Sequence, residues 1–490
     1  MTEDLRAALS RIGEIIADYW ETSADARTPV VDRLPPSELE RRLAVPDLRE
    51  GASLERVFET IETYLRYAVR TSHPQYFNQL WAGVSLPALL GDIVASAANT
   101  SMYTYEVAPA ATVLERELIR RMGLLAGFPD ADGQLVTGGS NGNLLAMALA
   151  RMEAVPDSRR CGVFAGPPLR GFISADAHYS FDTAANVLGL GTDCLRRIPT
   201  DHRGRMNPAA LLAEADQARR DGAHPFFVGA TAGTTVLGAF DPLPELADIA
   251  ARHHMWLHVD GAWGGAVVFS RRHRDLLAGL ERADSFVWDW HKMLGLPLIV
   301  SAFLVKKKGL RQKAFGPQDA GYIYHDDEHS ADLGPLAIQC GRAADVLKLV
   351  LDWQYWGDQG YAERVDRFFE LARYAAEVVS RHPDLELMAP VESANVCFRI
   401  VPPDPDDDAN EYNRAVRNRL AAGGRALVNY GNLGTDLVLR LVVANRRVER
   451  RDIDEFFRRL LAAAAEQSDA AGHASREETG DPANPLPGAS

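Results

Sequence analysis

Apolar residues recur along this chain in two rhythms, and the switch between them divides it. Over residues 4–20 they fall at Leu5, Leu9, Ile12, Ile16 and Tyr19, the spacing of one helical face. A link containing Pro29, Pro35, Pro36 and Pro46 follows, then a second helical stretch over 54–69. Such an arm buries little by itself, so it packs on another domain or another subunit, or caps its own chain. From residue 72 to about 339 short apolar runs alternate with helical segments. Residues 226–230 and 255–259 read as buried strands, with a helix over 243–253 between them. Strand, helix, strand at this spacing predicts parallel βαβ units in an open α/β sheet, whose ligands bind beyond the carboxyl ends of the strands. Residues 313–335 carry Gly, Pro, Asp and His without a period, and read as a long mobile loop of the kind that closes over active sites. Helices over 344–356 and 361–380, strands over 396–400 and 437–443 and a helix over 452–465 predict a smaller α+β domain. The pattern gives an N-terminal helical arm (1–71), a large domain (72–340), a small C-terminal domain (341–467) and a tail (468–490) whose Ala, Gly, Pro, Ser and Glu predict disorder.

Composition narrows the classes of function. A chain of 490 residues that is 47% hydrophobic and 24% charged is ordinary for a globular protein of two or three domains. A net charge of −14 argues against nucleic acid and anionic membrane as main partners. The four cysteines (Cys161, Cys194, Cys340, Cys397) lie far apart without metal-ligand spacing, as in a reduced protein, and no apolar stretch is long enough to span a bilayer. The N-terminus lacks the basic-then-apolar order of a signal peptide, so the expected location is the cytoplasm.

Candidate chemistry gathers at predicted strand ends. The apolar run 285–288 ends in Asp289-Trp290-His291-Lys292, and a lysine backed by apolar walls can serve as an amine nucleophile. Alone, a lysine at a strand end is a solvated surface group. Asp260, in His258-Val259-Asp260-Gly261-Ala262, closes another strand; it either pairs with a buried cation or caps the segment after it. His178 follows a short run over 171–175, where a structural histidine is equally natural. Thr137-Gly138-Gly139-Ser140-Asn141-Gly142-Asn143 precedes an apolar helix over 144–152, and glycines there let backbone N–H groups close on an anion or simply make a turn. An amine, a carboxylate, a flat ring and an anion site are what pyridoxal phosphate needs: the carboxylate keeps its ring nitrogen protonated, and the protonated ring accepts electrons.

Longer stretches carry a resemblance. They are His73-Pro74-Gln75-Tyr76-Phe77-Asn78-Gln79-Leu80, Tyr103-Thr104-Tyr105-Glu106-Val107-Ala108-Pro109, Thr231-Ala232-Gly233-Thr234-Thr235, His291-Lys292 and Ile338-Gln339-Cys340-Gly341-Arg342. From about residue 72 to 453 the chain resembles the group II pyridoxal-phosphate-dependent amino-acid decarboxylases, within them the glutamate, aspartate and cysteine-sulfinate branch. The resemblance implies the fold-type-I, aspartate-aminotransferase-like architecture: a large domain around a mixed, mostly parallel sheet, a small α+β domain and a homodimer with active sites at the subunit interface. It implies that Lys292 carries the cofactor covalently, Asp260 pairs with its pyridine nitrogen, His178 stacks on its ring and Thr235 lies close. Ser140 and Asn141 would hold the phosphate with His291 nearby. Gln79, Trp81 and Tyr103 would line the substrate pocket, and Arg440 matches an arginine that binds a substrate carboxylate.

Three departures matter. Asp289-Trp290 stands where the family usually has Asn-Pro, Asp-Pro or Asp-Ala, a change read as packing. Trp81 stands where the glutamate enzymes carry serine; filling that volume favours a short substrate, unless the ring turns into the core. In the lid the family's proton-donating tyrosine falls on Ser330, leaving His329, Tyr324 or a water as acid. The expected reaction is decarboxylation of aspartate to β-alanine, with cysteine sulfinate and glutamate next. A missing lid acid would allow an oxidative or transaminating route to an aldehyde, and a non-catalytic binding protein on the same fold is the remaining alternative.

Overall fold

The computed structural model describes residues 2–43, 49–317, 320–325 and 331–478. Helices α1 (Thr2–Ala24), α2 (Pro36–Leu43) and α3 (Leu54–Tyr67) form the arm. The short α2 was not foreseen: it lies inside the proline-containing link and begins on Pro36, whose fixed φ suits a first helical turn. The chain continues through β1 (Tyr76–Phe77), α4 (Leu86–Ala98), α5 (Pro109–Ala126), β2 (Asp132–Val136), α6 (Gly139–Ala154), α7 (Ser158–Cys161), β3 (Leu169–Ser174), α8 (Ser180–Val187) and β4 (Leu195–Ile198). Then come α9 (Pro208–Arg220), β5 (His224–Thr231), α10 (Leu243–His253), β6 (Trp256–Asp260), β7 (Ser285–Asp289), β8 (Ser301–Val305) and α11 (Leu310–Phe315).

The unit β5–α10–β6 shows why this sequence makes this layer. Prolines at the start of α10 cost no hydrogen bond, and Leu246, Ala247 and Ala250 on one face are buried. Burying a leucine there contributes about 1.5–3 kcal/mol. His254 takes a left-handed conformation that ends the helix and turns the chain into β6. The large sheet runs β2-β8-β7-β6-β5-β3-β4; β7, β6, β5, β3 and β4 are mutually parallel, and β8 is antiparallel to β7 and β2. In register, Asp260 pairs with Thr231 on β5 and with Val287 on β7, so three strands end together.

The second sheet, β1-β11-β12-β10-β9, comprises β9 (Leu385–Leu387), β10 (Asn395–Ile400), β11 (Leu427–Leu433) and β12 (Asp436–Val442), with β1 added parallel to β11. Helices α12 (Val346–Arg381), α13 (Ala409–Ala422) and α14 (Arg450–Glu478) accompany it. The two helices expected over 344–380 are one run broken at Gly357, whose φ of 64° with ψ of 177° is essentially glycine-only. The disorder expected from residue 468 is corrected as far as Glu478: alanines and charged residues there extend α14, and 479–490 lie outside the described residues. Among the described residues no helix is long and apolar enough to cross a membrane.

Candidate active site

The carboxyl edge of the large sheet opens into a cavity of about 300 Å³. Strand β7 delivers Asp289 to it, and the turn that follows brings Lys292 to its wall. Lys292 Nζ lies 3.0 Å from Asp289 Oδ2, and that carboxylate is 2% exposed. The Ser301 hydroxyl donates to Asp289 Oδ1 at 2.6 Å. A buried carboxylate bonded on both oxygens is a fixed counter-ion for the amine. His291 is buried with Nδ1 against the Val300 backbone, and burial holds it below the ordinary histidine range. Trp290, fully buried, packs its ring at a tilt against Trp288 (4.4 Å) and Trp353 (5.0 Å), so the tryptophan of the Asp-Trp departure serves packing, as expected.

Asp260 ends β6 with both oxygens engaged. Oδ1 accepts the Ala262 amide at 3.0 Å, and Oδ2 accepts Nδ2 of Asn143 at 2.9 Å. His178, just past β3, lines the same cavity. Its proton affinity is lowered by burial first; the Asp260 carboxylate opposes this and Lys292 reinforces it. Helix α6 starts at the cavity, behind Gly138 with φ 102°. A Cβ on Gly139 would stand 3.0 Å from the Ala262 Cβ and 3.2 Å from Asp289 Oδ2, so glycine allows the helix start to come this close.

Of the residues singled out from sequence, Ser140, His178, Thr235, Asp260, His291 and Lys292 line this cavity together. Asn141, Gln79, Trp81, Tyr103, Arg440 and Tyr324 do not line it. Gln79 and Trp81 flank Leu80, which does, and the Trp81 ring lies 6.1 Å from that of Tyr76. Arg440 is buried on β12, its Nη1 donating to the Thr235 carbonyl at 2.7 Å and its Nη2 to that of Asn78 at 3.0 Å. It ties two segments of the wall rather than presenting a free fork. The Tyr103 carbonyl accepts the Gly334 amide at 2.9 Å, joining that turn to the lid's base. Tyr324 OH lies 3.8 Å from Cys340 Sγ, and its pKa is pushed up to about 12, by burial first. His329 and Ser330 lie outside the described residues.

Asn143, Ser180, His258 and Asp289 were not assigned roles from sequence. Asn143 stands in the glycine motif, but nothing in its spacing shows that it reaches Asp260. The donors and acceptors present fit a flat phosphorylated aldehyde: an amine on Lys292, a carboxylate on Asp260, a ring on His178 and a helix N-terminus at Ser140.

The comparisons agree with this chemistry. The family model described as the pyridoxal-dependent decarboxylase conserved domain matches residues 36–401. The cysteine sulfinic acid decarboxylase of Mus musculus is 41% identical over 456 residues, 90% of this chain and 92% of that protein. The acidic amino acid decarboxylase GADL1 of Bos taurus is 38% identical over 445 residues, 88% of this chain and 85% of that protein. Among solved structures, mouse CSAD superposes with a TM-score of 0.91 at 38% identity, covering 94% of this chain and 98% of that one. Oryza sativa TDC with PLP and tryptamine gives 0.88 at 25%, covering 95% and 98%.

Proposed function

We propose, for a chain that belongs to the pyridoxal-dependent decarboxylase family, that its substrate is an acidic amino acid with a single methylene between Cα and the side-chain acid, L-aspartate or L-cysteine sulfinate. The enzyme is a pyridoxal-phosphate-dependent decarboxylase of acidic amino acids; side-chain length is the proposed part. The observation that carries it is Leu80, the one residue of the segment 78–81 on the cavity wall. Leu80 lines the cavity, Trp81 packs half-buried beside it, and Arg440 clamps the Asn78 carbonyl to the same anchor as that of Thr235. A branched side chain held there, with Trp81 packed behind it, leaves room for a short substrate. The relatives named for cysteine sulfinate support it equally with aspartate, which the sequence alone ranks first; glutamate stands behind both.

When bound, pyridoxal phosphate supplies an electron sink for the pair left on Cα as carbon dioxide departs. Lys292 Nζ is the amine that would hold it, with Asp289 as the amine's counter-ion. The Asp260 carboxylate would accept a hydrogen bond from the protonated ring nitrogen and keep it protonated, His178 would cover the ring, and Ser140 at the start of α6 would receive the phosphate. A carbon dioxide release screen with Lys292→Ala as the blank tests the reading. Aspartate and cysteine sulfinate should exceed glutamate at least tenfold in kcat/KM; a preference for glutamate overturns the size argument. Hydrogen peroxide formed in step with carbon dioxide would instead favour the oxidative route that Ser330 in the lid allows.

The assembly that suits this reading is a homodimer. Helix α4 exposes Leu86, Leu90, Ile93 and Val94, and Ile299, on the cavity wall, is 43% exposed beside Leu298. A second copy over these residues would bury them and close the cavity. Light scattering should give twice the 53.7 kDa chain mass; a monomer at micromolar concentration overturns it.

A further inference from the structure

At the cavity, Asp260 and His178 are joined through two side chains, Asn143 and Ser180. Asn143 Nδ2 donates to Asp260 Oδ2 at 2.9 Å and also to Ser180 Oγ at 2.8 Å. Carboxylate oxygens accept, so the Asn143 amide can point only one way. Its Oδ1 therefore faces His258, 2.8 Å from Nε2, and Nε2 carries the proton of that ring. Nδ1 of His258 is then an acceptor, served by the Ser285 hydroxyl at 2.8 Å, and Ser285 Oγ accepts the Trp256 indole N–H at 2.8 Å. Each bond in this branch has a fixed direction.

The other branch ends on His178. Ser180 Oγ has accepted from Asn143, which frees its own proton to go to His178 Nδ1 at 2.9 Å. The Ser180 backbone N–H also points at Nδ1, at 3.3 Å, and a backbone amide can only donate. Nδ1 is thus an acceptor twice over, and the proton of the neutral ring lies on Nε2.

We propose that Asn143 is a positioning residue that couples Asp260 to His178, holding the carboxylate in place with one N–H and, through Ser180, fixing His178 as the neutral Nε2–H tautomer with the other. His258 sets the orientation of Asn143 and is the anchor of the arrangement. The charged groups acting on the His178 ring are Asp260 and Asp289, which favour its protonation, and Lys292, which opposes it; Tyr179 packs on it at 4.3 Å. Against these, the two donors into Nδ1 favour the neutral ring, because protonation there would set N–H against N–H and O–H.

The inference depends on the cofactor and not on the substrate proposed above, so it is tested on the cofactor-free protein. Pyridoxal phosphate is titrated into wild type, Ser180→Ala, Ser180→Thr and Asn143→Leu from pH 5.5 to 8.5, following tryptophan fluorescence. Ser180→Ala removes one donor into Nδ1, so the acid limb of the affinity profile should move up by about one half to one pH unit. Ser180→Thr keeps the hydroxyl and should restore the wild-type limb. Asn143→Leu should weaken affinity at least tenfold at every pH. An unmoved acid limb in Ser180→Ala overturns the proposal, as does a folded Asn143→Leu with wild-type affinity. If Asn143→Leu fails to fold, the serine pair decides alone, since a merely structural role would not shift a pH profile and recover it with threonine.

Discussion

His258 has a measurable cost in acid. It is buried in the large sheet with both ring nitrogens bonded, and its pKa is pushed down to about 4, by burial first. In the unfolded chain the ring takes a proton as the pH falls through about 6.5. In the folded chain it does so only near 4. Between these values the unfolded state binds more protons, so the stabilising contribution is complete above the upper value and is lost as the pH falls towards the lower. A gap of about 2.5 units is worth roughly 3 kcal/mol in full, and about 2 kcal/mol of it is lost by pH 5. His73, also buried and pushed to about 4, adds with the same sign, as do His178 and His291. The informative quantity is therefore a difference. Urea denaturation of the cofactor-free protein at pH 7 and pH 5, for wild type and His258→Gln, measures it. The variant should be less stable than wild type at pH 7, and its loss between pH 7 and 5 should be smaller by about 2 kcal/mol. Equal losses in the two proteins would refute the assignment of the neutral His258 and the direction of the bonds leading from it.

Other outcomes follow from close contacts. A Cβ on Gly142 would stand 2.3 Å from Cγ2 of Val287, so Gly142→Ala should destabilise by about 1–3 kcal/mol, and Val287→Ala in the same chain should recover much of the loss in thermal melts. Trp290→Ala removes a fully buried ring from the cluster with Trp288 and Trp353 and should cost about 3–5 kcal/mol in urea denaturation, with cofactor retention falling as the Lys292 turn loosens. Arg440→Lys keeps the charge but cannot reach the carbonyls of Thr235 and Asn78 together; kcat/KM should fall about tenfold with the melting temperature nearly unchanged, and full activity would show that the clamp is dispensable.

Much of this was legible because it is local. Helix α10 falls over the residues its apolar spacing marks, with prolines at one end and a left-handed His254 at the other. Asp260 and Lys292 could be placed at the sheet's carboxyl edge because consecutive parallel strands must end on one side. What was not legible depends on contacts between distant segments. Asn143, Ser180 and His258 meet only when α6, the start of α8 and the centre of β6 are brought together, and no spacing announces three polar residues satisfying one another in a core. Arg440 matched a substrate-binding arginine in sequence, and the bonds of its Nη1 and Nη2 to the carbonyls of Thr235 and Asn78 could not be read there. The tail failed for a different reason: alanine and charge suit an exposed helix as well as a disordered segment, and the end of α14 took the former.

The two-residue strand β1 sets an order of events in the cell. Tyr76 and Phe77 pair with Leu427 and Val428, so a segment made early waits for one made near the end. Leu80, three residues past β1, lines the cavity together with Lys292. All strands of the large sheet, with Lys292 and Asp260, are therefore synthesised before β1 can find its partner. Until β11 emerges, β1 has no strand partner, and a chain truncated ahead of Leu427 would keep Lys292 and Asp260 while lacking the pairing that holds the segment before Leu80.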